Sequence, residues 1–282
     1  MANITFSRFV YLDTCIYSHL AKNTQLWDDL LGLLLANDLC LAVSSGNLAE
    51  LADAKGLHGI LADLLLLMPS AMIKPWDVIL QEEVVAHPEQ RTASLLFHPF
   101  NQLLLEKDGR GTLVGLFGGK DLAKARRGQL RDARRMLSLH RNLKPNFPPS
   151  KSGQYTHQQA DEFAAVIIMQ WLADTHHEFL KSFKNRVQDL HTEVFLSVRL
   201  LALVNFYKYY LGRREPAKLS DFGDEFHLAY IPYCELAIME RDLCNVLNQI
   251  RRHQDVLGST VVRNIEFFED WAWEDPALTE GR

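Results

Sequence analysis

Apolar and polar positions divide this chain into two regimes: short apolar runs alternating with helical periods at both ends, and helical periods alone between them. Arg8-Phe9-Val10-Tyr11-Leu12 is rich in β-branched and aromatic residues and predicts a strand that ends at Asp13. Thr14 to Leu20 then starts a helix. Gln25 to Ala36 predicts an amphipathic to fully buried helix, and Leu39 to Val43 a second buried strand. Ser44-Ser-Gly-Asn47 marks that strand's exit and the next helix start. Leu57 to Met68 is a leucine-rich helix that must be buried, and Lys74-Pro75-Trp76 breaks the chain before a helix from about Val78 to Ala86.

From His87 to Glu215 the pattern is helical throughout, interrupted at His98-Pro99, Lys107 to Gly111 and Asn142 to Gly153. Thr156 and Gln159 have capping-box spacing, followed by the apolar face Phe163, Ile167, Trp171. Val194 to Leu211 is the most apolar window, but Arg199, Asn205 and Lys208 interrupt it, so it reads as a buried helix rather than a membrane span. Asp221 to Ile231 predicts a short helix stopped by Pro232. Leu236 to Met239 is a short run suited to a strand buried on both faces, Leu243 to Leu247 opens another helix, and Thr260 to Val262 is a last strand. The expected organisation is a single α/β domain, with residues 1–86 and 216–282 as the halves of its core and 87–215 as an all-helical insertion.

At 282 residues, with 48% hydrophobic and 23% charged positions, the chain can bury a full core. Four cysteines without a C-x-x-C pair favour a reducing cytoplasm, and the first eight residues lack the apolar core of a signal peptide. His176-His177-Glu178 has the wrong spacing for a helical metal site, since adjacent residues diverge, and reads as a solvated face. A net charge of -5 gives no global nucleic-acid signal. Local charge does: Lys120 to Lys144 holds nine Lys and Arg against two Asp. Lys120, Lys124, Arg127, Arg131 and Arg134 share one helix face, beside an apolar stripe of Leu130, Ala133 and Leu137 that could dock the helix. Such a run is ordinarily a solvated surface; it becomes a phosphate-binding ridge where a site in the same chain gives it a polyanion to hold.

Four acids fall where strands end or the following helices begin: Asp13, Glu50, Asp224 and Glu240, with Asp242 as an alternative fourth. Asp13 also suits an N-cap, and Glu50 a helix-surface site near a dipole's positive end. Asp53 shares the face of Glu50, and His227 that of Asp224. Convergence of such acids on one sheet edge disfavours the folded state unless a cation neutralises them, and an all-oxygen set suits Mg²⁺ or Mn²⁺. Two such ions about 3.5–4 Å apart can activate water against a phosphodiester.

Three stretches resemble PIN-domain nucleases. Val10-Tyr-Leu-Asp13-Thr-Cys-Ile-Tyr resembles their opening strand and first acid, and Ser44-Ser-Gly-Asn-Leu-Ala-Glu50-Leu their second motif. Asp224-Glu-Phe-His227 through Pro-Tyr-Cys-Glu235 resembles their third and most specific motif, with Glu240 in the place of the fourth acid. The resemblance covers about the first 85 and last 65 residues. It implies a three-layer α/β/α fold with a mostly parallel sheet and metal-dependent endonucleolytic cleavage, mainly of RNA. Asp13, Glu50 and Asp224 would be metal ligands, and Glu240 a ligand or a base orienting water. Cys15 stands where members often have Asn, and Met239 where they often have Thr or Ser. The alternatives are a PIN-like scaffold that binds RNA or protein without cutting, and a haloacid-dehalogenase-type phosphatase, which needs an Asp where Cys15 stands. An inhibitory protein partner and a homo-oligomer stay open.

Overall fold

The computed structural model describes residues 8–87, 96–100, 107–183, 189–215 and 219–268, with backbone alone at 96–99, 220, 267 and 268. In chain order the elements are β1 (Phe9–Leu12), α1 (Thr14–Lys22), α2 (Trp27–Ala36), β2 (Cys40–Val43), α3 (Ser45–Leu51), α4 (His58–Leu67), β3 (Ser70–Ile73), α5 (Trp76–Ala86) and β4 (Leu96–Pro99). There follow α6 (Gly109–Phe117), α7 (Lys120–Leu143), α8 (Gln159–Thr175), α9 (His177–Phe183), α10 (Leu196–Phe206), α11 (Leu219–Glu225), β5 (Leu236–Met239), α12 (Arg241–Arg251) and β6 (Val261–Asn264). The strands form one sheet in the order β4-β3-β2-β1-β5-β6, parallel except for the antiparallel edge strand β4.

Side-chain alternation along the strands builds two cores. Phe9, Tyr11, Cys40, Ala42, Ala237 and Met239 face one layer, which includes α5, α8, α10 and α12. Val10, Leu12, Leu41, Val43, Leu236 and Ile238 face the other, with α1, α2, α3 and α4. The result is an α/β/α sandwich whose inner strands are buried on both faces, which is why they read as unbroken apolar runs. No described helix is long and apolar enough to cross a membrane; α10 is a buried helix that continues as a π-turn over Tyr207–Leu211.

Three expectations need correction. Segment 87–215 is not all-helical, because β4 lies within it, and its helices α8 and α10 share one core with a face of the sheet. Pro99 fits there because an edge strand tolerates a missing donor. Ser70 to Ile73, where the sequence pattern predicts no element, is β3; its small residues carry little β-propensity, and pairing with β2 makes the strand. The helix expected over Asp221 to Ile231 ends at Glu225, and a 3₁₀ stretch carries Phe226–Tyr233 through Pro232. Around Thr156 only half of the expected capping box forms: the Gln159 side chain accepts from the Thr156 N–H at 3.2 Å. The acidic, aromatic tail beyond Phe268 lies outside the described residues.

Behind the sheet, Glu83 of α5 is 1% exposed, with no cation paired to it among the described residues. Its carboxyl accepts from the Ser197 N–H at 2.9 Å, the Ser197 hydroxyl at 2.6 Å and the Tyr233 hydroxyl, joining α5 to α10 and the 3₁₀ stretch. Burial pushes its pKa up to about 7 against the opposing pull of these donors. Folded Glu83 thus keeps its proton to about pH 7, whereas the unfolded chain releases it near its ordinary value of 4.5. The native state binds more protons in that window, so the contribution of Glu83 to stability declines as pH rises through it. Denaturant unfolding of Glu83→Gln from pH 5 to 8 should therefore show a flatter dependence than wild type, by an amount on the order of a few kcal/mol. Parallel curves would show that Glu83 does not carry the proton.

Candidate functional site

Strand order reverses direction at β1: β2 and β3 extend to one side and β5 and β6 to the other. Open α/β sheets bind ligands outside the carboxyl ends of strands at such a switch point. Asp13 leaves β1 there, and its N–H donates to the Ile238 carbonyl at 2.9 Å, so Glu240 leaves β5 beside it. Ser44 and Asn47 form a capping box that starts α3, and the Asn47 amide reaches back to the Leu12 carbonyl and the Thr14 hydroxyl, each at 3.3 Å. That bridge fixes α3, and with it Glu50, against the exit of β1. Asp224, in the last turn of α11, completes the group.

Mutual electrostatics place these acids together. Burial and then the charge of Glu50, with Asp13 and Asp221 behind, push Asp224 up to about 6 against the relief of His227. Partial burial and the charges of Asp13 and Asp242 raise Glu240. The side chains of Asp224 and Glu240 are exposed and make no hydrogen bond or ion pair to a described residue. Asp13 takes the expected N-cap place: its Oδ1 accepts from the Thr14 N–H at 2.7 Å at the start of α1, and its Oδ2 accepts from the Cys15 thiol at 3.4 Å. Burial and then the charge of Asp13 raise the Cys15 thiol, so Cys15 acts as a neutral donor. Met239 turns away from the cleft into the core.

The other two acids are committed. Arg214 holds Asp242 through two hydrogen bonds of 2.5 and 2.7 Å, which keeps its carboxyl below the ordinary range. Glu50 accepts from His227 Nε2 at 2.6 Å and from the Gln129 amide at 3.1 Å. His227 is 3% exposed, and its Nδ1 lies 2.9 Å from the Tyr11 hydroxyl. Burial alone would lower its pKa, but the hydrogen bond and charge of Glu50 hold it above the ordinary value; reciprocally, burial raises Glu50 and His227 overcomes that. An imidazolium donates from both nitrogens. The 3.2 Å approach of Gln129 Nε2 to His227 Nε2 therefore joins two donors, and the two amide hydrogens of Gln129 go instead to Glu50 and the Gly223 carbonyl.

The sequence placed His227 on the face of Asp224; the structure turns it to Glu50 and Tyr11. Gln129, Tyr11 and the buried pair Lys208–Glu225 (2.9 Å), beside the cleft wall, were not foreseen. Asp53 pairs with Arg126 on the surface. His176 contacts Gln81, and His177 contacts Glu178 on the exposed surface, as a solvated face would. Among the described residues no three His, Cys, Asp or Glu side chains are gathered tightly enough to enclose a metal ion.

The basic segment forms the 24-residue α7, which crosses α3 and α11. Lys120, Lys124, Arg127, Arg131 and Arg134 are all exposed, as expected. Ala133 docks as expected, but the principal docking residues are Leu122, Met136 and Leu139, with Leu130 only half-buried. No family profile, curated protein or solved structure matches the chain significantly.

Gly46 permits the approach of α3 to His227: an added Cβ would stand 2.8 Å from the imidazole Cε1. His227 is pinned on both sides, so Gly46→Ala should destabilise by about 1–3 kcal/mol, the usual range for overpacking. Gly115→Ala in α6, with nothing within 4 Å of the new methyl, should be neutral or stabilising. Equal melting temperatures for the two variants would mean that His227 is free to move.

Proposed function

We propose that this chain is a PIN-like endoribonuclease that hydrolyses RNA phosphodiester bonds with Mg²⁺ or Mn²⁺. The observation that carries the reading is the meeting of Asp13, Asp224, Glu240 and Glu50 at the sheet's switch point, where burial and then like charge raise Asp224 and Glu240. The donor set fits a hard cation, being all oxygen, with two carboxylates that no described side chain engages. Asp13, Asp224 and Glu240 would hold the ion, with Glu50 at its side; when bound, it would activate water and stabilise charge on the leaving oxygen. Asp242 is the weaker candidate because Arg214 occupies both of its oxygens. His227 supplies the positive charge that keeps Glu50 ionised inside the wall. The exposed cations of α7 would hold the RNA backbone without reading sequence.

The second reading, a PIN-like scaffold that binds without cutting, draws on the absence of a preassembled group of three ligands among the described residues. The phosphatase reading lacks its general acid, because Cys15 stands in that place with a raised pKa.

Asp13→Asn and Asp224→Asn should each abolish cleavage of total RNA while leaving the melting curve cooperative. Wild-type cutting by either variant would remove that carboxylate from the site. Millimolar Mn²⁺ or Mg²⁺ should raise the Tm of wild type, by about 2.7 kcal/mol of stability at a hundred times Kd, and raise that of Asp13→Asn less. The shift should shrink as pH falls through about 6, where Asp224 takes up a proton in place of the metal. An unchanged Tm together with no cutting would favour the scaffold.

A further inference from the structure

On the other side of the His227–Glu50 pair lies a groove of about 770 Å³, within the roughly 300–1,000 Å³ of small-ligand sites. One wall is the α7 face bearing Lys124, Arg127 and Arg131; the other is the ring of Trp76, backed by Phe226 and Tyr230, which are each 4% exposed. Trp76 is half-buried and held in place: its indole N–H donates to Asp132 at 3.2 Å, and its ring meets Trp171 at 5.1 Å and Phe226 at 5.2 Å. Asp132 is buried and also accepts from Arg131 at 3.2 Å, which leaves Lys124 and Arg127 as the groove's cations without an ion pair among the described residues. Asp77 and Asp121 on the rim balance part of this charge, so the groove does not simply attract polyanions. Gln129 and His227 line it, and the same two side chains hold Glu50. Groove and acidic cleft are thus separated by one layer of side chains.

We propose that this groove is a nucleotide subsite of the reaction proposed above: it holds one unpaired nucleotide beside the bond to be cut, base against Trp76, phosphate on Lys124 and Arg127. An aromatic wall facing isolated cations suits a base with its phosphate, because every base offers a π-face and stacking tolerates sequence. A duplex keeps its bases inside the stack and presents only backbone. The subsite therefore selects single strands over duplexes and shows little preference among bases. Its location deepens the nuclease reading, but its binding needs no metal.

The test is fluorescence anisotropy in chelator with four probes: a single-stranded RNA octamer, an abasic ribose-phosphate octamer, a blunt RNA duplex and polyglutamate. Wild type should bind the RNA octamer about tenfold or more tighter than the other three. Trp76→Ala should weaken octamer binding about tenfold, leave abasic binding unchanged, and be largely rescued by Trp76→Phe. Lys124→Gln/Arg127→Gln should weaken octamer and abasic binding alike and reduce the log–log salt slope by about 1.4, two contacts at about 0.7 each. Equal wild-type affinity for octamer and abasic oligomer overturns the proposal, and does so even if Trp76→Ala fails to fold. Equal affinity for the duplex or for polyglutamate, or a folded Trp76→Ala with wild-type octamer affinity, also overturns it. Metal-dependent cleavage is scored separately: cutting without this binding pattern sinks the subsite alone, and this pattern without cutting sinks the nuclease alone.

Discussion

Like charge gathered where β1 and β5 end is the constraint on which the rest of this structure depends. Carboxylates gathered at one edge repel one another, and burial together with that repulsion raises Asp224 and Glu240. Within the wall the fold answers it with the buried His227, while Lys208 relieves Glu240. His227 faces Glu50 at 2.6 Å, and the two groups reinforce each other's ionised states. A buried charge without its partner would be strongly unfavourable, so neither residue is free to vary alone. Asp242 is neutralised differently, by Arg214 at the surface. This leaves Asp224 and Glu240 as the acids of the group without a side-chain partner among the described residues.

Keeping His227 in place takes parts from both ends of the chain. Tyr11, from the first strand, bonds the far nitrogen of the ring. Gly46, at the start of α3, lets a helix backbone approach where any side chain would collide. Asn47 fastens that helix to the exit of β1, and Gln129 of α7 closes over Glu50 while bonding the Gly223 carbonyl. Segment 87–215, which reads in sequence as an appendage, therefore supplies part of the wall of the cleft. Its longest helix lies across α3 and α11, the two helices that carry Glu50 and Asp224.

What was legible in the sequence follows from how locally each feature is determined. β1, β2 and β5 could be read because strands buried on both faces need continuous apolar runs, and β6 from the β-branched pair Val261-Val262. Strand-exit acids could be read because an acid directly after such a run has its place set by local geometry. β3 could not, since Ser70-Ala71-Met72 has little propensity of its own and is a strand because β2 lies beside it. The pairing of His227 was equally out of reach. Three-residue spacing placed it with Asp224, but its partners lie 177 and 216 positions away, and the chain tightens from α to 3₁₀ between Asp224 and His227. The same tightening lets the chain pass Pro232, which would have broken a continuing α-helix.

Groove and cleft share a wall made of Gln129 and His227, and that has a mechanical consequence. Both side chains are already saturated: Gln129 by Glu50 and Gly223, His227 by Glu50 and Tyr11. A ligand pressing on the wall from the groove cannot recruit either as a new donor without breaking one of these bonds. Contact from that side is therefore steric and apolar, chiefly through Trp76, while polar contact is left to the exposed cations of α7. From the cleft side the same saturation holds Glu50 in one orientation, so rearrangement around any ligand there falls to Asp224 and Glu240. The wall thus divides the labour: fixed groups stand between the two chambers, and adaptable ones face solvent on either side.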